Sequence, residues 1–146
     1  MCIRDRRDDV AHGNDDDGSR GERDGRDGDT TDAMVLGDPV ALEQLLINLV
    51  TNALDAAPPG TAVDVRVERG PVLRVLDRGA GIAPPDRAHV FDPFYTTKPD
   101  GNGLGLSIAH EIASAHGATL TFSSEPGRTE FVLAFAPLPL PLEVAP

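Results

Sequence analysis

The stretch from residue 1 to residue 33 restricts the rest of the chain to one small folded unit. Between Arg4 and Asp32 nearly every residue is Asp, Arg or Gly, and Val10 is the only large aliphatic side chain. Such a segment cannot bury enough apolar surface to offset the chain entropy lost on folding. We expect residues 1–33 to be disordered or artefactual, since MCIRDR resembles a translated sequencing adapter. A folded domain at 34–137 and a Pro-rich tail at 138–146 then complete the chain.

Charge and cysteine content exclude several classes of function. The formal net charge of the 146 residues is −11, which argues against nucleic acid as a partner because phosphate binding needs a basic face. Cys2 is the only cysteine, so no internal disulfide forms and a reducing compartment fits. No apolar run approaches the length of a membrane-spanning helix. We expect a cytoplasmic domain, and leave open whether a full-length parent is anchored in the inner membrane.

Hydrophobic periodicity predicts an alternation of helices and strands around one long irregular segment. Asp38-Pro39 begins a helix whose leucines recur at helical spacing and which ends at Pro58-Pro59-Gly60. The other predicted elements are strands at 63–67 and 72–76, a helix at 104–116, and a hairpin of strands at 118–124 and 129–136. Between the second strand and the second helix, residues 77–103 are rich in Gly, Pro and Asp. A loop of this length in a compact domain is usually functional.

Three separated groups of residues are candidates for binding or catalysis. Asn48 and Asn52 are four residues apart, on one helix face, so their amides either ligate Mg²⁺ or are simply exposed. Asp77 ends a strand and leads into Arg78-Gly79-Ala80-Gly81, where a carboxylate can accept a hydrogen bond from an exocyclic amine. The run GNGLGL at 101–106 leads into a helix, where backbone N–H groups bind phosphate. Its spacing matches neither P-loop enzymes nor dinucleotide folds.

The order of these groups closely resembles one family. NLVTNALDAA, DRGAG, VFDPFYTTK and GNGLGLS are similar to the N, G1, F and G2 boxes of sensor histidine kinases, within the GHKL ATPase superfamily. The resemblance covers residues 35–137 and is strongest to nitrogen- and dicarboxylate-sensing members. It implies an α+β two-layer sandwich (the Bergerat fold), with a mixed, mostly antiparallel sheet, helices on one face and a long ATP lid. A strand that usually precedes the first helix is not expected here.

The resemblance also implies roles for single residues with ATP and Mg²⁺ as cofactors. Asn52 is the expected metal ligand, and Asn48 and Lys98 are the expected catalytic residues. Asp77 is expected to accept the adenine amino group, with Thr129 helping to orient it. Phe91 and Phe94 are expected at the base of the lid, with simple core packing as the alternative. The expected nucleotide-binding residues are Asn48, Asn52, Asp77, Gly79, Gly81, Ile82, Phe94, Thr96, Thr97, Lys98, Gly101, Gly103, Leu104, Gly105, Leu106 and Thr129.

No histidine in the sequence has the surroundings of a phosphoacceptor. His110-Glu111-Ile112 lacks the basic residue and the proline that follow in the His-Glu motif of such kinases. We therefore expect a chain truncated at its N-terminus, which phosphorylates a histidine on a dimerisation domain that it lacks and is inactive alone. The expected partners are that domain, a second copy in a homodimer, and a response regulator. The alternatives are a mismatch-repair or chaperone type ATPase, which needs a Glu at position 48, an anti-sigma serine kinase, and a degenerate ATP-sensing module or gene fragment.

Overall fold

The computed structural model describes residues 34–138, so the expectations for residues 1–33 and for the tail beyond Leu138 lie outside the described residues. The elements are α1 (Pro39–Ala56), β1 (Asp64–Glu68), β2 (Val72–Asp77), a 3-10 helix (Pro84–His89), α2 (Gly105–Ala115), β3 (Ala118–Glu125) and β4 (Arg128–Phe135). The predicted helices and strands are confirmed, and their ends differ from the predicted ones by no more than about two residues. The 3-10 helix lies within the stretch predicted to be irregular. No helix in the described range is long and apolar enough to cross a membrane.

Helix α1 begins where the sequence predicts because Asp38 caps it. The Asp38 carboxylate accepts the N–H groups of Val40 at 2.9 Å and Ala41 at 3.4 Å, and Pro39 fills a first-turn position that needs no N–H donor. The fully buried face of the helix consists of Leu45, Leu49 and Ala53. This spacing packs α1 on the sheet and leaves the adjacent face, which carries the two asparagines, beside a cleft.

The four-stranded sheet has the order β1-β2-β4-β3, and each neighbouring pair is antiparallel. The resemblance implies a mixed sheet, but no parallel pair occurs among the described residues. The reason is topological: β3 runs in the same direction as β2, and the hairpin places β4 between them. Residues 34–38 contain no strand, and the expectation that the strand before α1 is missing falls on residues outside the described range.

Both helices cover one face of the sheet and close a single core. Alternate strand residues point toward them, among them Val75, Leu120, Phe131 and Leu133, as the period of a strand requires. These core-facing rows run toward the same end of the sheet. There each row ends in a polar side chain, at Asp77 on β2, Thr129 on β4 and Ser124 on β3.

His116 connects the end of α2 to the start of α1. Its Nδ1 lies 2.7 Å from the carbonyl oxygen of Ile112, and its Nε2 lies 3.0 Å from the amide nitrogen of Asp38. A carbonyl only accepts and an amide N–H only donates, so these two bonds require the tautomer with its proton on Nδ1. Gly37 permits this approach, because a Cβ there would lie 2.4 Å from Cδ2 of the imidazole.

Candidate functional site

A cleft of about 670 Å³ lies between α1, the polar end of the sheet and the segment from Val90 to Leu106. We call residues 91–103 the lid segment. All but three of the residues predicted for the site line this cleft, although they come from distant parts of the sequence. The three that do not line it are Gly79, Phe94 and Leu104.

The two asparagines of α1 both line the cleft but differ in their hydrogen-bond partners. The Asn48 Oδ1 accepts a hydrogen bond from Gln44 Nε2 at 2.9 Å, whereas its Nδ2 is buried and has no partner among the described residues. A buried donor without an acceptor costs free energy, so an acceptor placed beside it would remove that cost. Asn52 Oδ1 faces Lys98 Nζ at 3.3 Å.

Lys98, the only lysine in the sequence, connects the lid segment to α1 through two polar contacts. Its ammonium donates to Asn52 Oδ1 and forms an ion pair with Asp55 Oδ2 at 3.1 Å. The two charged side chains are 39% and 53% exposed, so this pair is a weak one. The positive charge therefore lies at the oxygen that the resemblance assigns to a metal ion.

Asp77 is the most buried acidic side chain of the cleft, at 1% exposure. Burial raises the pKa of this carboxyl above its usual value, while the hydrogen bond from Gly79 and the charge of Lys98 act in the opposite direction. The Gly79 N–H reaches Oδ1 at 2.8 Å. Gly79 thus supports the carboxylate from behind, and a Cβ there would lie 2.5 Å from the Ala56 carbonyl oxygen.

Thr129 lies directly opposite Asp77 in the pairing of β2 with β4, and Ser124 lies opposite Thr129 in the pairing of β4 with β3. The Thr129 hydroxyl is 2.9 Å from the Ser124 hydroxyl, and the Gly79 N–H is the group that holds Asp77. Gly79 is therefore the residue whose hydrogen bond holds Asp77 in this structure, and the orienting role of Thr129 stays a prediction.

The beginning of α2 offers free backbone donors to the cleft. Gly105 and Leu106 line it, and no side chain caps the first turn of the helix. The leading N–H groups of a helix lack partners within it and attract anions. Gly103, with φ of 70°, lets the chain turn into the helix while its carbonyl accepts the Phe94 N–H at 3.0 Å.

The two phenylalanines at the base of the lid segment have different environments. Phe91 packs on His110 with ring centroids 4.7 Å apart and also contacts Phe122 and Phe131, so it belongs to the core. Phe94 is 76% exposed, has a φ of 65° and does not line the cleft. The expected contact between Phe94 and a nucleotide is therefore not supported by its position.

The residues of the cleft fit a magnesium nucleotide better than a bare cation. Within residues 34–138, no group of three or more His, Cys, Asp or Glu side chains is arranged to hold a metal. Mg²⁺ usually takes one or two protein oxygens and completes its shell with phosphates and water. Asn52 Oδ1 can supply one oxygen, and the unpaired Asn48 Nδ2 can donate to a phosphate.

Several residues that shape the cleft were not predicted from the sequence. The Ser124 hydroxyl shares a hydrogen bond with the Thr129 hydroxyl. The Arg87 side chain donates to the carbonyl oxygens of Ile82 at 3.0 Å and Ser124 at 2.8 Å. The Tyr95 hydroxyl donates to the Asp86 carboxylate, which holds the lid segment to the 3-10 helix and raises the pKa of Tyr95. The alternation in β3 is the one signal that places Ser124 on the core side. The others depend on contacts between loops.

Comparison with known proteins agrees with this geometry. Residues 37–140 match the family described as "Histidine kinase-, DNA gyrase B-, and HSP90-like ATPase". Over 105 residues the chain is 46% identical to the C4-dicarboxylate transport sensor protein DctB of Rhizobium meliloti, covering 68% of this chain and 17% of that protein. Over 126 residues it is 38% identical to the probable sensor histidine kinase TcrY of Mycobacterium tuberculosis, covering 77% and 26%. The chain therefore spans only a minor part of the length of these relatives.

Solved structures lead to the same family. The mycobacterial sensor histidine kinase MprB superposes with a TM-score of 0.62 at 31% identity, covering 71% of this chain and 76% of that one. Full-length ShkA, solved in complex with AMPPNP, superposes with a TM-score of 0.55 at 34% identity, covering 73% and 24%. The family match extends over most of the chain, and the relatives are sensor histidine kinases. The chain thus belongs to the histidine kinase-, DNA gyrase B- and HSP90-like ATPases, among the catalytic domains of sensor histidine kinases.

Proposed function

We propose that the cleft binds Mg·ATP and that the protein transfers the γ-phosphoryl group to a histidine of a dimerisation domain, as one step of a two-component phosphorelay. The observation that carries this proposal is the convergence of Asn52, Asp77 and the uncapped start of α2 on one cleft. A magnesium nucleotide has three parts to be bound. An amide oxygen suits the metal ion, a carboxylate suits the amino group of the base, and free backbone N–H groups suit the phosphates.

Each group has a distinct task in this proposal. The Asp77 carboxylate accepts the amino group of adenine, and the first N–H groups of α2 bind phosphate oxygens. Mg²⁺, held in part by Asn52, neutralises charge on the triphosphate. Asn48 and Lys98 add a neutral and a charged donor beside it, because catalysis of phosphoryl transfer consists mainly of positioning and charge neutralisation.

Position 48 favours transfer to a histidine over hydrolysis. An amide cannot take a proton from water, and the Oδ1 of Asn48 is already engaged by Gln44. The cleft therefore lacks, at this position, the carboxylate that a chaperone-type or mismatch-repair-type ATPase uses as a base. An imidazole nitrogen acts as nucleophile without such a base, since it carries a free lone pair.

The acceptor histidine is proposed to lie in another domain. The three histidines in the described range have structural partners: His89 pairs with Asp92 at 2.7 Å, His110 stacks on Phe91, and His116 joins the helices. We propose that the dimerisation domain of a homodimer supplies the acceptor, that a response regulator receives the phosphoryl group, and that no nucleic acid takes part.

Calorimetric titration of the full chain with Mg·ATP tests the site. Asn52→Ala and Asp77→Ala should each weaken binding by about tenfold or more, since each removes a charged or metal-linked contact. The controls are Glu43→Ala on the exposed face of α1 and Asp64→Ala on β1, which lie outside the cleft and should bind as the unaltered chain does. Equal binding by all four variants would refute the assignment. Phosphotransfer to a supplied dimerisation domain then tests the kinase reaction.

A further inference from the structure

The polar row formed by Asp77, Thr129 and Ser124 continues the core-facing side of three neighbouring strands. The three side chains are 1%, 4% and 8% exposed, and Asp77 and Thr129 both line the cleft. Ser124 is the third member and is not part of the cleft wall. It acts on the cleft through the two lining residues that its hydroxyl contacts, Thr129 and Ile82.

The hydrogen bonds of Ser124 determine which way its hydroxyl points. Ser124 Oγ lies 2.7 Å from the amide nitrogen of Ile82, which can only donate, so this oxygen is an acceptor there. The Thr129 hydroxyl oxygen, at 2.9 Å, is the one remaining acceptor for the Ser124 hydrogen among the described residues. In the reverse arrangement, with Thr129 donating, the Ser124 hydrogen would be buried without an acceptor, which is unfavourable.

The backbone around Ser124 is held so that this arrangement persists. Arg87 donates to the carbonyl oxygen of Ser124 at 2.8 Å and to that of Ile82 at 3.0 Å. The same residue thus fixes both the serine and the amide that the serine accepts from. With Ser124 donating, the hydrogen of the Thr129 hydroxyl is free to be donated into the cleft.

We propose that Ser124 is a positioning residue for base selection, which orients the Thr129 hydroxyl as a donor next to the Asp77 acceptor. This inference rests on the proposed binding of ATP. One acceptor beside one donor matches adenine, whose six-amino group donates and whose neighbouring ring nitrogen N1 accepts. Guanine in the same orientation places a carbonyl oxygen against the Asp77 carboxylate, which is repulsive, and it offers an N–H in place of the acceptor that the Thr129 hydrogen needs.

The test compares ATP with 1-deaza-ATP, in which a C–H group replaces N1. Titrations use the full chain with Mg²⁺, and the measured quantity is the ratio of the two dissociation constants. The unaltered chain should bind ATP about threefold to tenfold more tightly than 1-deaza-ATP, the value of one hydrogen bond. Ser124→Ala leaves the Thr129 hydroxyl free to rotate, so it should lower this ratio by weakening ATP more than 1-deaza-ATP. Ser124→Thr, which keeps the hydroxyl, should restore it.

Two further variants separate orientation from simple stability. Ser123→Ala removes a neighbouring hydroxyl on the exposed side of β3 and should leave the ratio unchanged. Thr129→Val removes the proposed donor itself and should bring the ratio close to one, which keeps the test decisive if the alanine variant unfolds. A serine that serves only folding would weaken both nucleotides equally.

The outcomes distinguish this inference from the proposed function. ATP binding that depends on Asp77 but shows an unchanged ratio in Ser124→Ala and Thr129→Val would overturn the role of Ser124 and leave the ATP site intact. A selective loss with 7-deaza-ATP instead of 1-deaza-ATP would overturn the assignment to N1. Failure of the unaltered chain to bind ATP would overturn both.

Discussion

Replacing Gly103 with alanine should open the base of the lid segment. Gly103 has a φ of 70°, and the left-handed conformation costs a residue with a Cβ about 1–2 kcal/mol. The added Cβ would also lie 2.4 Å from the carbonyl carbon of Phe94 and 2.7 Å from the nitrogen of Tyr95. These are main-chain atoms that cannot rotate away, so the Phe94 to Gly103 hydrogen bond must lengthen, at about 0.5–1.5 kcal/mol. The cost is therefore about 2 kcal/mol or more in total.

Gly127→Ala is the matched control for this substitution. Gly127 has a φ of 83°, but a Cβ there would meet nothing within 4 Å. It therefore carries the conformational cost of about 1–2 kcal/mol without the steric one. The difference between the two variants isolates the contact between Gly103 and the backbone of residues 94 and 95.

Hydrogen exchange of the nucleotide-free chain, read by mass spectrometry, measures how much the lid segment opens in each variant. A cost of about 2 kcal/mol should raise exchange in peptides covering residues 92–104 by roughly 30-fold. Exchange in β4 should change little, because Phe94, Tyr95 and Gly103 are not among the residues of the hydrophobic core. The reasoning would be refuted by lid peptides of Gly103→Ala that exchange as in the unaltered chain, or by a larger effect for Gly127→Ala.

Two further substitutions test the charges of the cleft. Burial raises the pKa of Asp77 above its usual value of 3.8, so ionisation of this carboxyl lowers the stability of the folded state as pH rises from 3.8 toward the raised pKa. Asp77→Asn removes this charge and keeps an oxygen for the Gly79 N–H. The substitution should therefore raise the denaturant midpoint more at pH 7 than at pH 4, while it weakens ATP binding. A lower midpoint than the unaltered chain at pH 7 would contradict this. Asp55→Asn breaks the half-exposed pair with Lys98, worth at most about 1 kcal/mol, so lid exchange should rise by no more than about fivefold. Asp100→Asn removes the same charge from the lid segment without touching that pair, and equal exchange in the two variants would show that the contact has no effect.

The elements that the sequence predicts well are those whose signal lies within a few residues. Helix α1 is marked by an Asp cap, a first-turn proline and leucines at helical spacing, and β3 and β4 by alternation on both sides of a Pro-Gly turn. The pieces of the cleft were likewise recognisable because each lies within one short motif. The exposed position of Phe94 was not recognisable, since no local pattern predicts its positive φ or the close approach of Gly103 to its backbone.

Taken by itself, the sequence determined which residues are apolar, where helices and strands begin, and which motifs carry amides, a carboxylate and glycines. Tertiary structure decided which of these meet. Strand register set Asp77, Thr129 and Ser124 in one row, and the fold of the lid segment brought Lys98 to Asp55, although 43 residues separate the two. The physical reason is that periodicity reports only the face on which a side chain lies. Contact across strands and loops is selected by packing the whole core, which no local pattern encodes.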